Sequence, residues 1–343
     1  MPGIELLAAR LEEAGLAVAE LEAVTSGSFS VAGVAALRGG GRVFAKTQTD
    51  ADADFFEVEA AGLAALRDLG GVRVPDVVHV SPRLLVTEAL RPRGDGSRFW
   101  EQLGRMVAAL HTSTVSGRFG WHRDGWHGPG RMRQDNSWEA DGHAFYARHR
   151  ILRWLPEPLV EAEFEGGERR AVERLCAALP DLIPPHPASL THGDLWIGNI
   201  LADRAGQPAL IDPAVSRLWP ETDLAMLWVQ RRPPDADRFF AVYEELARPF
   251  PGWRDQAQLL RIWDLFSVIA HGSDTWGAAE IVRTLIAPFR HTSLAAARHR
   301  TEHGYDDTAP HRGLESARQA LSKFSVIQQN GPAWASVHGE KPT

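Results

Sequence analysis

A chain of 343 residues with 44% apolar content can bury one large core or two lobes, and it is too apolar for a disordered protein. Its net charge of −7 argues against nucleic acid or an anionic membrane as the main partner, and a single cysteine, Cys176, excludes an internal disulfide framework or a multi-cysteine zinc site. No stretch reaches the ~18 apolar residues of a membrane helix, and Met1 to Glu5 carry no secretory pattern, so a cytoplasmic location is expected.

Residues 4–14 show helical spacing through Ile4, Leu7, Ala8 and Leu11, with Gly15 able to end the helix. Leu21–Val24 and Phe29–Leu37 read as strands around a turn at Thr25–Ser28. Gly39–Gly41 turns the chain into a third strand, Arg42–Lys46. Two strands, a small-residue turn and a lysine-bearing strand follow the order of a kinase nucleotide lobe. In that reading Gly27 and Ser28 of the first turn face phosphate, and Lys46 holds it. A helix from about Asp52 to Leu69 follows, capped by Asp50 or Asp52, with Glu57 and Glu59 as candidate partners for Lys46. Val77–Val80 and Leu84–Glu88 complete a small sheet. The Pro-, Gly- and charge-rich run from Arg91 to Ser97 reads as a boundary between lobes.

The second lobe reads as helical. Phe99, Leu103, Met106, Val107 and Leu110 share one face of a helix ending near His111. A loop follows, rich in aromatic and polar residues, from Phe119 through Asp124, Gly125 and Trp126 to Ser137. Trp138–Leu152 and Leu159–Leu179 read as helices, and Pro180–Pro187 as a stiff connector into a short strand. His192-Gly193-Asp194-Leu195-Trp196-Ile197-Gly198-Asn199 comes next, with Asn199 five residues after Asp194, the offset between acid and asparagine in a protein-kinase catalytic loop. Asn199–Ala202, a turn at Asp203–Gln207 and Pro208–Ile211 read as a hairpin that returns Asp212 to the side of Asn199, so that both oxygens face one magnesium ion. Helices are expected from Glu221 and near 235–247, 253–271 and 276–287. Residues 291–343 read as a mobile or loosely docked tail.

The stretch from His192 to Asn199, Asp212-Pro213-Ala214 and Glu221-Thr222-Asp223-Leu224-Ala225 resemble the fructosamine kinase (ketosamine-3-kinase) family, within the aminoglycoside phosphotransferase and choline kinase group. The resemblance covers about residues 15–290. It implies an α+β, two-lobed protein-kinase-like fold: a nucleotide-binding lobe with a small antiparallel sheet over 1–90, and a mostly helical catalytic and substrate-binding lobe over 91–290. The family pattern from Phe56 to Leu63 points to Glu59 as the partner of Lys46. The resemblance also makes Glu88, Ala89 and Leu90 the hinge that bonds the adenine edge, and Asp223 a brace for the catalytic loop. A Phe-Gly-Trp stretch with Asp124 and Trp126 belongs near the substrate, although Gly125 stands where the family usually has Asn.

The expected reaction is transfer of a phosphoryl group from ATP, with Mg2+, to O3 of a fructosamine or ketosamine, free or on a protein lysine, which leads to deglycation. Asp194 takes the hydroxyl proton, Asn199 and Asp212 hold magnesium, and Lys46 with Glu59 holds the α- and β-phosphates. Trp196 can stack on a sugar face, with plain packing as its rival. The alternatives are a kinase for another alcohol, such as an aminoglycoside, and a nucleotide-binding protein without catalysis. No G-x-x-x-x-G-K-[ST] occurs, which sets aside the other common phosphate loop.

Overall fold

The computed structural model describes residues 2–24, 30–49, 52–126 and 132–290. Gly27 and Ser28, and the segment 291–343, lie outside the described residues. The N-terminal part is a five-stranded antiparallel sheet of β1 (Val18–Val24), β2 (Val31–Leu37), β3 (Arg42–Thr47), β4 (Val77–Ser81) and β5 (Leu84–Glu88), in the order β1-β2-β3-β5-β4. Lys46 sits opposite Ala32 on β2 and Leu85 on β5, so the central strand carries it. Helix α1 (Pro2–Glu13) buries Leu7 and Leu11 against Ala35, Val43, Ala45, Leu84 and Val86, closing one face of the sheet. Arg10 of α1 donates to the carbonyls of Gln48 (2.6 Å) and Arg83 (2.9 Å) and to Thr47 Oγ1, which pins the end of β3 just past Lys46.

Helix α2 (Phe55–Gly70) crosses from β3 to β4 and buries Phe56, Leu63 and Leu66. It ends as its sequence dictates, with Gly71 left-handed and its N–H returned to Arg67 O at 3.0 Å. After β5 the chain enters the helical lobe through Arg91, whose N–H and carbonyl both pair with Ala202 (2.8 and 2.9 Å). Arg73 adds a second tie across the lobes, reaching Glu88 at 2.6 Å and Asp203 at 3.5 Å.

The helical lobe is built around α3 (Ser97–Ser113), with Trp100, Leu103, Val107 and Leu110 fully buried. Three helix boundaries differ from the sequence reading. The helix expected at Trp138 begins at Gly142, because Asp141 caps it by accepting from the N–H groups of His143 and Ala144; it passes into a π-helical turn at Tyr146–Ile151. The stretch expected as one helix over 159–179 is two, Pro158–Glu163 and Gly166–Leu182. The break falls at Glu165, which forms a reciprocal capping box with Glu168. The second of these helices continues through Pro180 to Leu182, where the sequence reading has a stiff connector begin. The third expected helix, 253–271, splits at Arg261 into Ala257–Leu260 and Ile262–Ala270. Among the described residues no helix is long and apolar enough to cross a membrane.

Candidate active site

Two short antiparallel ladders frame the motif. Ser189–Thr191 pairs with Ser216–Leu218, and Ile200–Ala202 pairs with Pro208–Leu210 as the expected hairpin. The Asp203 carboxylate turns that hairpin by accepting from Ala205 and Gln207 N–H, both at 2.9 Å. The return brings Ile211 N–H to Asn199 O at 3.1 Å and Ala214 N–H to His192 O at 2.9 Å. Asp212 therefore arrives beside Asn199. It does so with φ of 52°, the left-handed region that a non-glycine residue occupies at a cost of about 1–3 kcal/mol. Gly193 has φ of 80°, and a methyl group there would collide with the Ala214 carbonyl, so only glycine fits. Gly198 lies beneath the Trp196 indole, which leaves no room for a side chain.

Lys46 Nζ sits between two carboxylates, 2.6 Å from Glu59 and 2.9 Å from Asp212. Lys46 and Glu59 are largely buried, whereas the Asp212 side chain is 44% open to the cleft. Burial works against the lysine charge, but Asp212 and then Glu59 outweigh it and raise the ammonium above its ordinary range. Asp212 pays the same burial penalty, yet Lys46 holds it below the usual carboxylate range. Glu59 is pushed up to about 7, by burial first and by Asp212 after it, against the pull of Lys46. Of the two glutamates in the sequence reading, Glu59 is the one that meets Lys46.

Asp194 is held by Asn199, whose Nδ2 donates to both Asp194 O and Asp194 Oδ2 at 2.9 Å. The Asp194 carboxyl is pushed up to about 8 by burial, and further by Asp264 and Asp212, against the Asn199 hydrogen bond. His192 is buried and donates through Nε2 to Ile211 O at 2.9 Å, while Nδ1 accepts from Asp194 N–H at 3.2 Å. Those bonds fix a neutral imidazole, and burial lowers its pKa accordingly. His192 is thus a scaffold for the loop.

The loop is braced from below by Asp223. Its two oxygens accept from His192 N–H (2.7 Å) and Gly193 N–H (2.9 Å), and His111 Nε2 lies 3.2 Å away. Burial opposes this charge, but the His111 contact and the backbone donors hold the carboxyl below its ordinary range. Asp223→Ala is expected to cost about 2–4 kcal/mol, because it leaves two buried N–H groups unsatisfied. A depressed folded pKa means that this stability is present above the ordinary carboxylate range and is lost as pH falls through the folded value. Urea unfolding of wild type and variant at pH 7 and pH 3 checks both the size and the sign.

Lys46, Glu59, Asp194, Asn199 and Asp212 all line one cleft of about 1060 Å³ between the sheet and the helical lobe. Glu88, Ala89, Leu90 and Trp196 line it too, as do Asp124 and Trp126. Asp124 is engaged within its own loop, accepting from Asn136 N–H at 3.1 Å and from Arg133 Nε at 2.9 Å. It thereby holds the two-rung ladder in which Gly125 and Trp126 pair with Gln134 and Arg133. The Trp126 indole N–H donates to Asp54 at 3.2 Å, tying this loop to the start of α2. Sequence reasoning missed a further part of the lining, where Trp263, Asp264, Ser267, His271 and Trp276 also border the cleft.

The family model for fructosamine kinase matches residues 4–283. This chain belongs to the fructosamine kinase family. A probable ketoamine kinase of Thermus thermophilus is 35% identical over 237 residues, covering 67% of this chain and 80% of that protein. A chloroplastic protein-ribulosamine 3-kinase of rice (Oryza sativa subsp. indica) is 28% identical over 235 residues, and the match spans 65% of this chain and 66% of the relative's length. Among solved structures, one from Thermobifida fusca assigned as a fructosamine-3-kinase superposes with a TM-score of 0.71 at 30% identity, covering 82% of this chain and 98% of that one. The protein-kinase-like, α+β, two-lobed architecture inferred from the sequence is the one this family has.

Proposed function

We propose that this fructosamine kinase family member is an ATP-dependent phosphotransferase acting on O3 of a fructosamine or related ketosamine. One observation carries the reading: a buried Lys46–Glu59 pair and an Asp194–Asn199 pair line one cleft, with Asp212 in contact with the lysine. In the reaction the substrate oxygen bonds to the γ-phosphorus, the bond from that phosphorus to the β-bridging oxygen breaks, and ADP leaves. Asp194 orients the hydroxyl and accepts its proton. Lys46, held by Glu59, meets the α- and β-phosphates, and the backbone at Glu88, Ala89 and Leu90 meets the adenine edge. Gly27 and Ser28 are proposed as phosphate contacts on the sequence reading alone.

Asn199 commits its amide nitrogen to Asp194, which leaves its oxygen for a cation, and the Asp212 carboxylate is open to the cleft. These two protein oxygens would hold magnesium, which would supply neutralisation of the phosphate charge. Trp196 offers a face for the sugar, and Trp126 and Asp124 shape the entrance. We take residues 1–90 as the nucleotide lobe and 91–290 as the catalytic lobe. We also extend the acceptor to ketosamines on protein lysines and place the reaction in the cytoplasm. Gly125, which stands where the family usually has Asn, keeps another alcohol as the second reading.

The test is acceptor-dependent ADP release from Mg-ATP across a panel of fructosyl-lysine, ribulosyl-lysine, an aminoglycoside and simple sugars. The proposal expects turnover with the ketosamines that stops on chelation of magnesium. Turnover confined to the aminoglycoside would replace the substrate class, and none with any acceptor would remove the catalytic reading.

A further inference from the structure

The roles above leave one wall of the cleft without a task. Helix Ile262–Ala270 is apolar, and Ile262, Trp263, Leu265, Phe266, Ile269 and Ala270 are all buried. The positions that open from this core are Asp264, Ser267, Val268 and, at the helix cap, His271. Their spacing of three, four and seven residues from Asp264 puts them on one helix face. All four line the cleft that holds Asp194 and Trp196.

A carboxylate on such a helix contributes little to core packing and costs desolvation. Asp264 is nonetheless fixed there: the fully buried Arg261 donates to its Oδ2 at 2.6 Å, and the Arg261 guanidinium stacks 5.6 Å from the Trp276 ring centre. The Asp264 side chain remains 18% exposed, on the cleft side. Two carboxylic side chains, Asp264 and Asp194, therefore line one pocket, where a ligand bearing a positive group and a hydroxyl could meet both.

The proposed substrate brings such a group. A ketosamine carries a protonated amine on C1 and the reacting hydroxyl on C3, so nitrogen and oxygen lie roughly 3–5 Å apart by ordinary bond lengths. We propose that Asp264 is the specificity-determining residue for this reaction, accepting the N–H of the C1 ammonium while Asp194 accepts the C3 hydroxyl. The inference rests on the ketosamine reading. It separates ketosamines from neutral ketoses by charge.

The test measures binding rather than turnover. Calorimetry compares N-propyl-fructosamine with 1-O-propyl-fructose, in which an ether oxygen replaces the ammonium, on wild type and Asp264→Asn. Wild type is expected to prefer the amine by roughly 10–100-fold, the range of a charged hydrogen bond. In Asp264→Asn, which keeps an oxygen for Arg261, the ratio should fall close to one. Because that variant leaves the buried Arg261 without its charge partner, Arg261→Gln/Asp264→Asn is measured beside it and should also lose the preference. A ratio unchanged in either folded variant overturns the proposal, as does a wild type that binds both compounds equally or neither. Loss of preference on mutation in a protein that transfers no phosphate would uphold the amine site and remove the kinase reading. Transfer to ketosamines with an unchanged ratio would do the reverse.

Discussion

Asp194→Asn is expected to lower kcat by roughly 10²–10⁴, the range of a lost general base, and to raise thermal stability. The two effects share one origin. Asp194 sits in a pocket that pushes its carboxyl up to about 8 through burial, Asp264 and Asp212. A base in that state is largely protonated at neutral pH in the free enzyme, so kcat/KM should rise with pH up to about 8 and then level, and Asp194→Asn should lose that limb. The linkage runs the same way. A folded pKa above the ordinary carboxylate value gives stability that is present at low pH and is lost as pH rises through about 8. At pH 9 the ionised Asp194 therefore weakens the fold, and the neutral asparagine does not. A gain of about 1–2 kcal/mol, a few degrees in Tm, is expected there. Calorimetric melting at pH 5 and pH 9 checks it: the gain should appear at the higher pH and shrink at the lower. A variant that kept its activity would move the base elsewhere.

Lys46→Met is expected to damage both function and fold. Among the described residues the lysine is the one cation paired with both Glu59, at 2.6 Å, and Asp212, at 2.9 Å. Without it the phosphates lose a charged contact, for which a fall of roughly 10²–10³ in kcat/KM is expected, with a raised KM for ATP. Two acids are then left facing each other. Breaking a buried ion pair from one side costs about 3–5 kcal/mol. Here the lower end is expected, because Asp212 is 44% open to the cleft and Glu59, already pushed up to about 7, can take up a proton. The loss should therefore be larger at pH 8 than at pH 6. Lys46→Met/Glu59→Gln should recover much of the stability and none of the activity. Urea unfolding at the two pH values and steady-state kinetics with varied ATP separate the two effects.

Much of this site was legible in the sequence because its parts are local. The spacing of Asp194 and Asn199, and the hairpin from Asn199 to Asp212, are set by turn chemistry and strand residues within one short segment. The structure forms that hairpin with Gly206 left-handed at φ 78° and with Asp203 accepting from Ala205 and Gln207 N–H. Lys46 could be located because an apolar strand with one central lysine, followed by a helix bearing glutamates, leaves few places for the charge. Choosing Glu59 over Glu57 needed the family pattern, and Glu59 is the one found on Lys46.

What was not legible is tertiary. Nothing in the local pattern tells that the Trp126 indole reaches Asp54 just before α2, or that Arg10 of α1 pins the end of β3. Asp264 was hidden for another reason: Ile262-Trp263-Asp264-Leu265-Phe266 reads as an apolar core helix with one incidental acid. The signal was present in the polar positions 264, 267 and 271, one face of that helix, but only the fold turns the face towards Asp194.

The most direct test of the central claim is the identity of the product formed from fructosyl-lysine with Mg-ATP, read by phosphorus–proton correlation in the NMR spectrum. The account predicts phosphate on the C3 oxygen in the wild type and none in Asp194→Asn. Phosphate on another hydroxyl, or on C3 at undiminished rate in the variant, would contradict the placement of substrate and base in this cleft.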